Sequence, residues 1–182
     1  MTLPNLISLA RLLAVPVVIW AILAEEMALA FWLFIAAGVS DAIDGYLARR
    51  SGARTVVGGF LDPLADKALL VSVYITLGRA GHLPLWLVIL VVSRDVLIIG
   101  GAIVFHTITQ SLKPEPLMVS KLNTVAQIVL AATVLSEQAM QGNWHMAVSL
   151  LIWAVAVTTA ASGGSYIVQW SRRVATMEKE GR

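Results

Sequence analysis

Six apolar runs, at residues 6–24, 28–47, 61–77, 83–105, 119–135 and 144–170, take up most of this 182-residue chain. Each is close to the ~20 residues that a helix needs to cross a bilayer, with tilt allowing some scatter. The separators are short: Glu25-Glu26, residues 50–57, 78–82, 106–116 and 137–143. The expected fold is therefore an all-α integral membrane protein. It is read as a bundle of six transmembrane helices with a short interfacial N-terminal segment, in which Pro4 suits a helix start. The whole of 1–182 reads as one membrane domain ending in a basic interfacial tail at 171–182. Composition agrees, with 58% hydrophobic and 13% charged residues, where soluble domains carry roughly a quarter charged.

Several function classes drop out at once. The chain has no cysteine, which removes disulfides, thiolate metal sites and cysteine nucleophiles. Its basic residues flank apolar runs and form no long basic patch, so no nucleic-acid partner is expected. No small-residue cleavage site precedes Glu25-Glu26, so the first run does not read as a cleaved signal peptide. No internal repeat suggests an inverted-repeat transporter.

Orientation follows from lysine and arginine in the short connections. With the N-terminus inside, the inner side carries Arg11, Arg49, Arg50, Arg54, Lys67, Lys113, Lys121 and the tail residues Arg172, Arg173, Lys179 and Arg182. The outer side carries Arg79 with Glu25, Glu26 and Glu137. Both termini are expected in the cytoplasm, in a bacterial inner membrane.

Four aspartates interrupt the apolar pattern on that inner side: Asp41, Asp44, Asp62 and Asp66. A carboxylate in hydrocarbon costs several kcal/mol or is neutralised, so such acids mark function. Asp41 and Asp44 are i,i+3 and Asp62 and Asp66 are i,i+4, so each pair shares a helix face. Two helices meeting on those faces would gather four carboxylates, whose repulsion calls for divalent cations. The segment D-A-I-D-G-Y-L-A-R-R-S-G-A-R-T-V-V-G-G-F-L-D-P-L-A-D, residues 41–66, adds more. Gly45 and Ala48 let a ligand approach the backbone, and Gly58 with Gly59 opens the start of the second helix. Arg49 offers a planar fork for phosphate oxygens. Carboxylates hold Mg²⁺ or Mn²⁺, which bridge diphosphate oxygens, so the expected substrate is a diphosphate ester at the membrane. Arg11 either snorkels to headgroups or joins this site.

The pattern D-x2-D-G-x2-A-R-x8-G-x3-D-x3-D resembles the signature of the CDP-alcohol phosphatidyltransferases. It is matched without a gap by Asp41, Asp44, Gly45, Ala48, Arg49, Gly58, Asp62 and Asp66. Pro4, Asn5, Ser8 and Arg11 are similar to the family's first-helix pattern. The resemblance implies transfer of a phosphatidyl group from a CDP-linked lipid to an alcohol with release of CMP. It also implies two Mg²⁺ or Mn²⁺ ions on the four aspartates, Asp66 as the base for the acceptor hydroxyl, and a homodimer. Asn5, Gly45, Ala48, Arg49 and Gly58 would bind the CDP portion.

The acceptor-binding residues implied are Arg94, Lys121 and Asn123. The S-R-D of residues 93–95 and the S-K-x-N-T of residues 120–124 look like those of the eukaryotic-type, CMP-forming cardiolipin synthases. Their acceptor is the phospholipid phosphatidylglycerol. Phosphatidylglycerophosphate synthases, which use glycerol-3-phosphate, generally show R-E and G-K-x-K-T instead. With Asn123 in place of a second lysine, the expected acceptor is phosphatidylglycerol and the alternative is glycerol-3-phosphate. A membrane prenyltransferase or a transporter would also explain intramembrane acids, but the former generally has more helices and two widely separated acidic motifs, and the latter does not require this glycine and arginine spacing. His82 and His145 read as interface residues, His106 as a loop residue, and the tryptophans as aromatic belts.

Overall fold

A computed structural model describes the backbone of residues 3–51, 56–109 and 118–180, and the side-chain surroundings of residues 9–41, 43, 65–101, 118–169 and 171. Six helices follow in order: α1 Leu3–Leu23, α2 Met27–Ser51, α3 Val56–Arg79, α4 Leu85–Thr109, α5 Met118–Met140 and α6 His145–Glu180. Each apolar run became one helix, and most helices outrun their apolar run. His106 lies inside α4, and the basic tail expected at 171–182 continues α6 as far as Glu180.

Three reversals, α1–α2, α3–α4 and α5–α6, gather at one end of the bundle. Each of these turns carries a residue in the left-handed region just past the helix end: Glu25 (φ 61°), Gly81 (φ 83°) and Gln141 (φ 50°). The next N–H reaches back five residues in every case: Glu26 to the Ala21 carbonyl, His82 to Leu77 and Gly142 to Glu137, all at 2.9 Å. That bond satisfies a carbonyl the helix end would leave orphaned. At Gly78 the close approach of α4 excludes any side chain, because a Cβ would lie 2.7 Å from Val88 Cγ2.

The core runs through the middle of the bundle. Val18 and Ile22 of α1, Val73 and Leu77 of α3, Leu87 of α4 and Leu130 of α5 are all buried. Ala21, Ala30 and Ala37 are buried as well, and such small side chains let helices approach closely. Tyr74 donates from its hydroxyl to the Gln127 carbonyl at 3.1 Å, which lets a phenol sit in the core.

The expectation of six membrane-spanning helices is corrected. Among the described residues two helical stretches are long and apolar enough to cross a bilayer, Met118–Met140 and His145–Gln169, with mean hydropathies of 1.5 and 1.7. Shorter apolar stretches remain in α1 and α2, Leu9–Leu23 and Met27–Asp41. α3 carries Asp62, Asp66 and Lys67 within its length, and α4 carries Arg94 and Asp95. Charges within a helix raise the cost of placing it across a bilayer, and the stretches of α1 and α2 are those of their described residues alone. The two spanning stretches are only 33% and 22% buried, so most of their apolar surface faces outward, unlike a soluble core helix. Trp20, Trp32, Ile89, Leu150 and Trp153 are exposed too. The protein is an all-α bundle and integral to a membrane.

Candidate functional site

The N-terminal half of α1, the middle stretches of α2 and α3 and the N-terminal half of α5 surround a cavity of about 420 Å³. Arg11, Asp41, Asp66 and Lys67 supply its charge, and Phe34, Ile35, Leu69, Leu70 and Ile128 make an apolar wall. Gly38 also lines it, with nothing within 4 Å of where its Cβ would stand.

Arg11 joins the two acidic helices. One guanidinium nitrogen lies 3.0 Å from Asp41 Oδ1 and also donates to Asp66 Oδ1. The Arg11 side chain is 2% exposed while those of Asp41 and Asp66 are 42% and 41% exposed. Arg11 therefore does not snorkel; it sits inside the site, and the carboxylates remain open to the cavity.

Behind this wall lies a second charged group. Lys67 Nζ donates to both carboxylate oxygens of Asp95, at 2.9 and 2.8 Å. Asp95 also accepts from Arg94 Nη1 at 2.7 Å. Arg94 donates further to the Ser120 and Ser162 hydroxyls. The side chains of Arg94 and Asp95 are 5% and 4% exposed. A buried carboxylate is tolerated there because two cations and their hydrogen bonds surround it.

The structure brings some expected site residues together and separates others. Asp41 and Asp66 share the cavity. Asp44, Gly45, Ala48 and Arg49 lie on α2, Gly58 and Asp62 on α3, and Asn5 on α1; their side-chain surroundings fall outside the described residues. Arg94 is held behind the cavity rather than on its wall. Lys121 is exposed near the start of α5. Asn123 is fully buried, and its Oδ1 accepts from the Thr158 and Thr159 hydroxyls of α6, each at 2.9 Å. Lys67 was not singled out from the sequence, although it is a charge inside an apolar helix beside Asp66, the signal that marked the aspartates.

Asp41 and Asp66 come from different helices yet lie close enough to share one guanidinium. Half-exposed carboxylate oxygens converging on one cation are a donor set suited to a hard divalent ion. Among the described residues no three acids or histidines cluster as a metal site, and Asp44 and Asp62, the other two candidates, lie outside that description.

Comparison with known proteins converges on one family. The family model described as CDP-alcohol phosphatidyltransferase matches residues 1–160. The chain is 37% identical over 190 residues to the chloroplastic CDP-diacylglycerol–glycerol-3-phosphate 3-phosphatidyltransferase 1 of Oryza sativa, covering 93% of this chain and 57% of that protein. It is 33% identical to the CMP-forming cardiolipin synthase of Homo sapiens, over 91% of this chain and 60% of that one. It is 32% identical to the CDP-diacylglycerol–glycerol-3-phosphate 3-phosphatidyltransferase of Bacillus subtilis, over 90% of this chain and 92% of that one. The chain thus spans under two thirds of the rice and human relatives and nearly the full length of the bacterial one.

Proposed function

The chain belongs to the CDP-alcohol phosphatidyltransferase family, and from that premise we propose that it moves the phosphatidyl group of CDP-diacylglycerol to glycerol-3-phosphate, releasing CMP. The observation that carries this reading is the convergence of Asp41 and Asp66, from two helices, on a cavity that also holds Arg11 and Lys67 and has an apolar wall. A donor made of a charged diphosphate and two acyl chains needs both kinds of surface.

An acceptor hydroxyl oxygen attacks the phosphorus that carries diacylglycerol. The new O–P bond forms as the bond to CMP breaks, and the hydroxyl proton passes to Asp66. A positioned base of this kind contributes ~10²–10⁴-fold. Asp41, Asp44, Asp62 and Asp66 would hold Mg²⁺ or Mn²⁺, which would supply neutralisation of the diphosphate charge. Arg11 orients the Asp41 and Asp66 carboxylates from beneath. Arg49 binds a phosphate of the CDP portion, with Gly45, Ala48, Gly58 and Asn5 around it. The site and both termini face the cytoplasm, because lysine and arginine gather at that end, and the protein acts as a homodimer.

The acceptor preference departs from the sequence expectation. Asn123 is packed between α5 and α6, so its replacing a lysine reflects helix packing and no longer argues for an acceptor of lower charge. The rice and bacterial relatives both carry glycerol-3-phosphate in their names, which supports that acceptor here. Phosphatidylglycerol is the second reading, supported by the likeness to cardiolipin synthases. Purified protein given CDP-diacylglycerol, divalent metal and both acceptors side by side tests the choice. Phosphatidylglycerophosphate with CMP is expected; cardiolipin with no phosphatidylglycerophosphate would overturn it.

A further inference from the structure

The cavity has two cations, and they are committed differently. Arg11 is bound to the two carboxylates that serve the chemistry. Lys67 is bound to Asp95, which is 3% exposed and also holds Arg94. One carboxylate between two cations leaves a net positive charge. Arg94 cannot present that charge, because Asp95, Ser120 and Ser162 enclose it and it does not line the cavity. Lys67 can: its side chain is 29% exposed, and it lines the cavity beside Asp66. An ammonium has three donors, and those not aimed at Asp95 are available to an anion.

We propose that Lys67 binds the phosphate of the acceptor alcohol, that Asp95 positions it, and that Arg94 keeps Asp95 from cancelling its charge. Asp66 receives the acceptor hydroxyl's proton, and Lys67 is the next residue on α3. An acceptor with a hydroxyl and a phosphate would therefore bridge two neighbouring side chains. The shared chemistry is a phosphate carried on a glycerol unit, whether free in glycerol-3-phosphate or within a phosphatidylglycerol headgroup. This inference rests on the proposed function and adds a residue to it.

The test is steady-state kinetics of the full chain in mixed micelles, with each acceptor varied in turn. Lys67→Met should raise the acceptor KM about tenfold or more, the loss of one charged hydrogen bond, and leave the CDP-diacylglycerol KM within about twofold. Lys67→Arg, which keeps the charge and the pairing to Asp95, should recover most of that loss. Asp95→Asn should fall between them. Protection from thermal unfolding by glycerol-3-phosphate without donor, present in the wild type and absent in Lys67→Met, reads binding without turnover. A rise in KM for only one acceptor identifies the source of the phosphate and supports the assignment. An unmoved acceptor KM in Lys67→Met, or equal rises for donor and acceptor, overturns the inference alone. A wild-type protein that forms product from neither acceptor overturns the proposed function, and the inference with it.

Discussion

Both ends of the bundle carry acids, basic residues and a cavity, but they satisfy those groups over very different spans of chain. At the turn end, Glu137 accepts the Trp144 N–H at 2.8 Å and lies 3.2 Å from His145 Nδ1, so it caps the start of α6 from seven residues away. A cavity of about 530 Å³ sits there, lined by Glu25, Arg79, His82, Gln138 and Gln141. At the site end the partners are remote: Arg11 with Asp66, Lys67 with Asp95 and Arg94 with Ser162 are 55, 28 and 68 residues apart. The turn end uses charge to reverse the chain, and any folded pair of neighbouring helices supplies the partners. The site end uses charge across four helices, and only the assembled bundle brings those partners together.

This contrast separates loss of activity from loss of stability. The largest effect is expected from Asp66→Asn, which should lower turnover by ~10²-fold or more while destabilising the fold less than Arg94→Met does, since Asp41 stays beside buried Arg11 and the amide oxygen still accepts from it. CMP release and thermal unfolding measured on the same preparation check it. If Glu137→Gln produced a comparable loss of turnover, the division between the two ends would fail.

Next comes Arg94→Met. It leaves buried Asp95 with one cation fewer and should destabilise the fold by about 3–5 kcal/mol, read from denaturant-induced unfolding in detergent. A loss under about 1 kcal/mol would mean that Lys67 alone suffices for Asp95. At the turn end, Glu137→Ala removes a capping acceptor and should cost about 1–2 kcal/mol, with turnover per folded molecule unchanged. Glu25→Gly is the smallest change and goes the other way. Glutamate at φ 61° is strained where glycine is not, so a gain of about 0.5–1 kcal/mol is expected. No gain in unfolding temperature would show that the Glu25 side chain offsets its own strain.

Asp41 and Asp66, which line the cavity, could be picked out before the fold was known, because their signal is local. Asp41, Asp44, Asp62 and Asp66 are conspicuous as charges in apolar stretches, and their spacing places each pair on one helix face. Six helices could be counted from six apolar runs. The number of membrane spans could not be read in the same way: two stretches among the described residues are long and apolar enough to cross a bilayer, and charges such as Arg94 and Asp95 make a helix costlier to place there. Asn123 shows the same limit at one residue. In sequence it stands where a lysine would meet an acceptor, whereas in the fold two threonines of α6 enclose it.

The sequence by itself determined the helical class and the family, and it singled out the four aspartates proposed to hold a divalent ion, because periodicity, apolar length and motif spacing are properties of short segments. Only the tertiary structure decided that Arg11 is internal, that Arg94 is walled off and that Lys67 faces the cavity. The physical reason is that a buried charge is tolerated only beside its partner. Those partners, Asp66 for Arg11 and Asp95 for Lys67, come from other helices, so packing sets which cations are committed and which can meet a substrate.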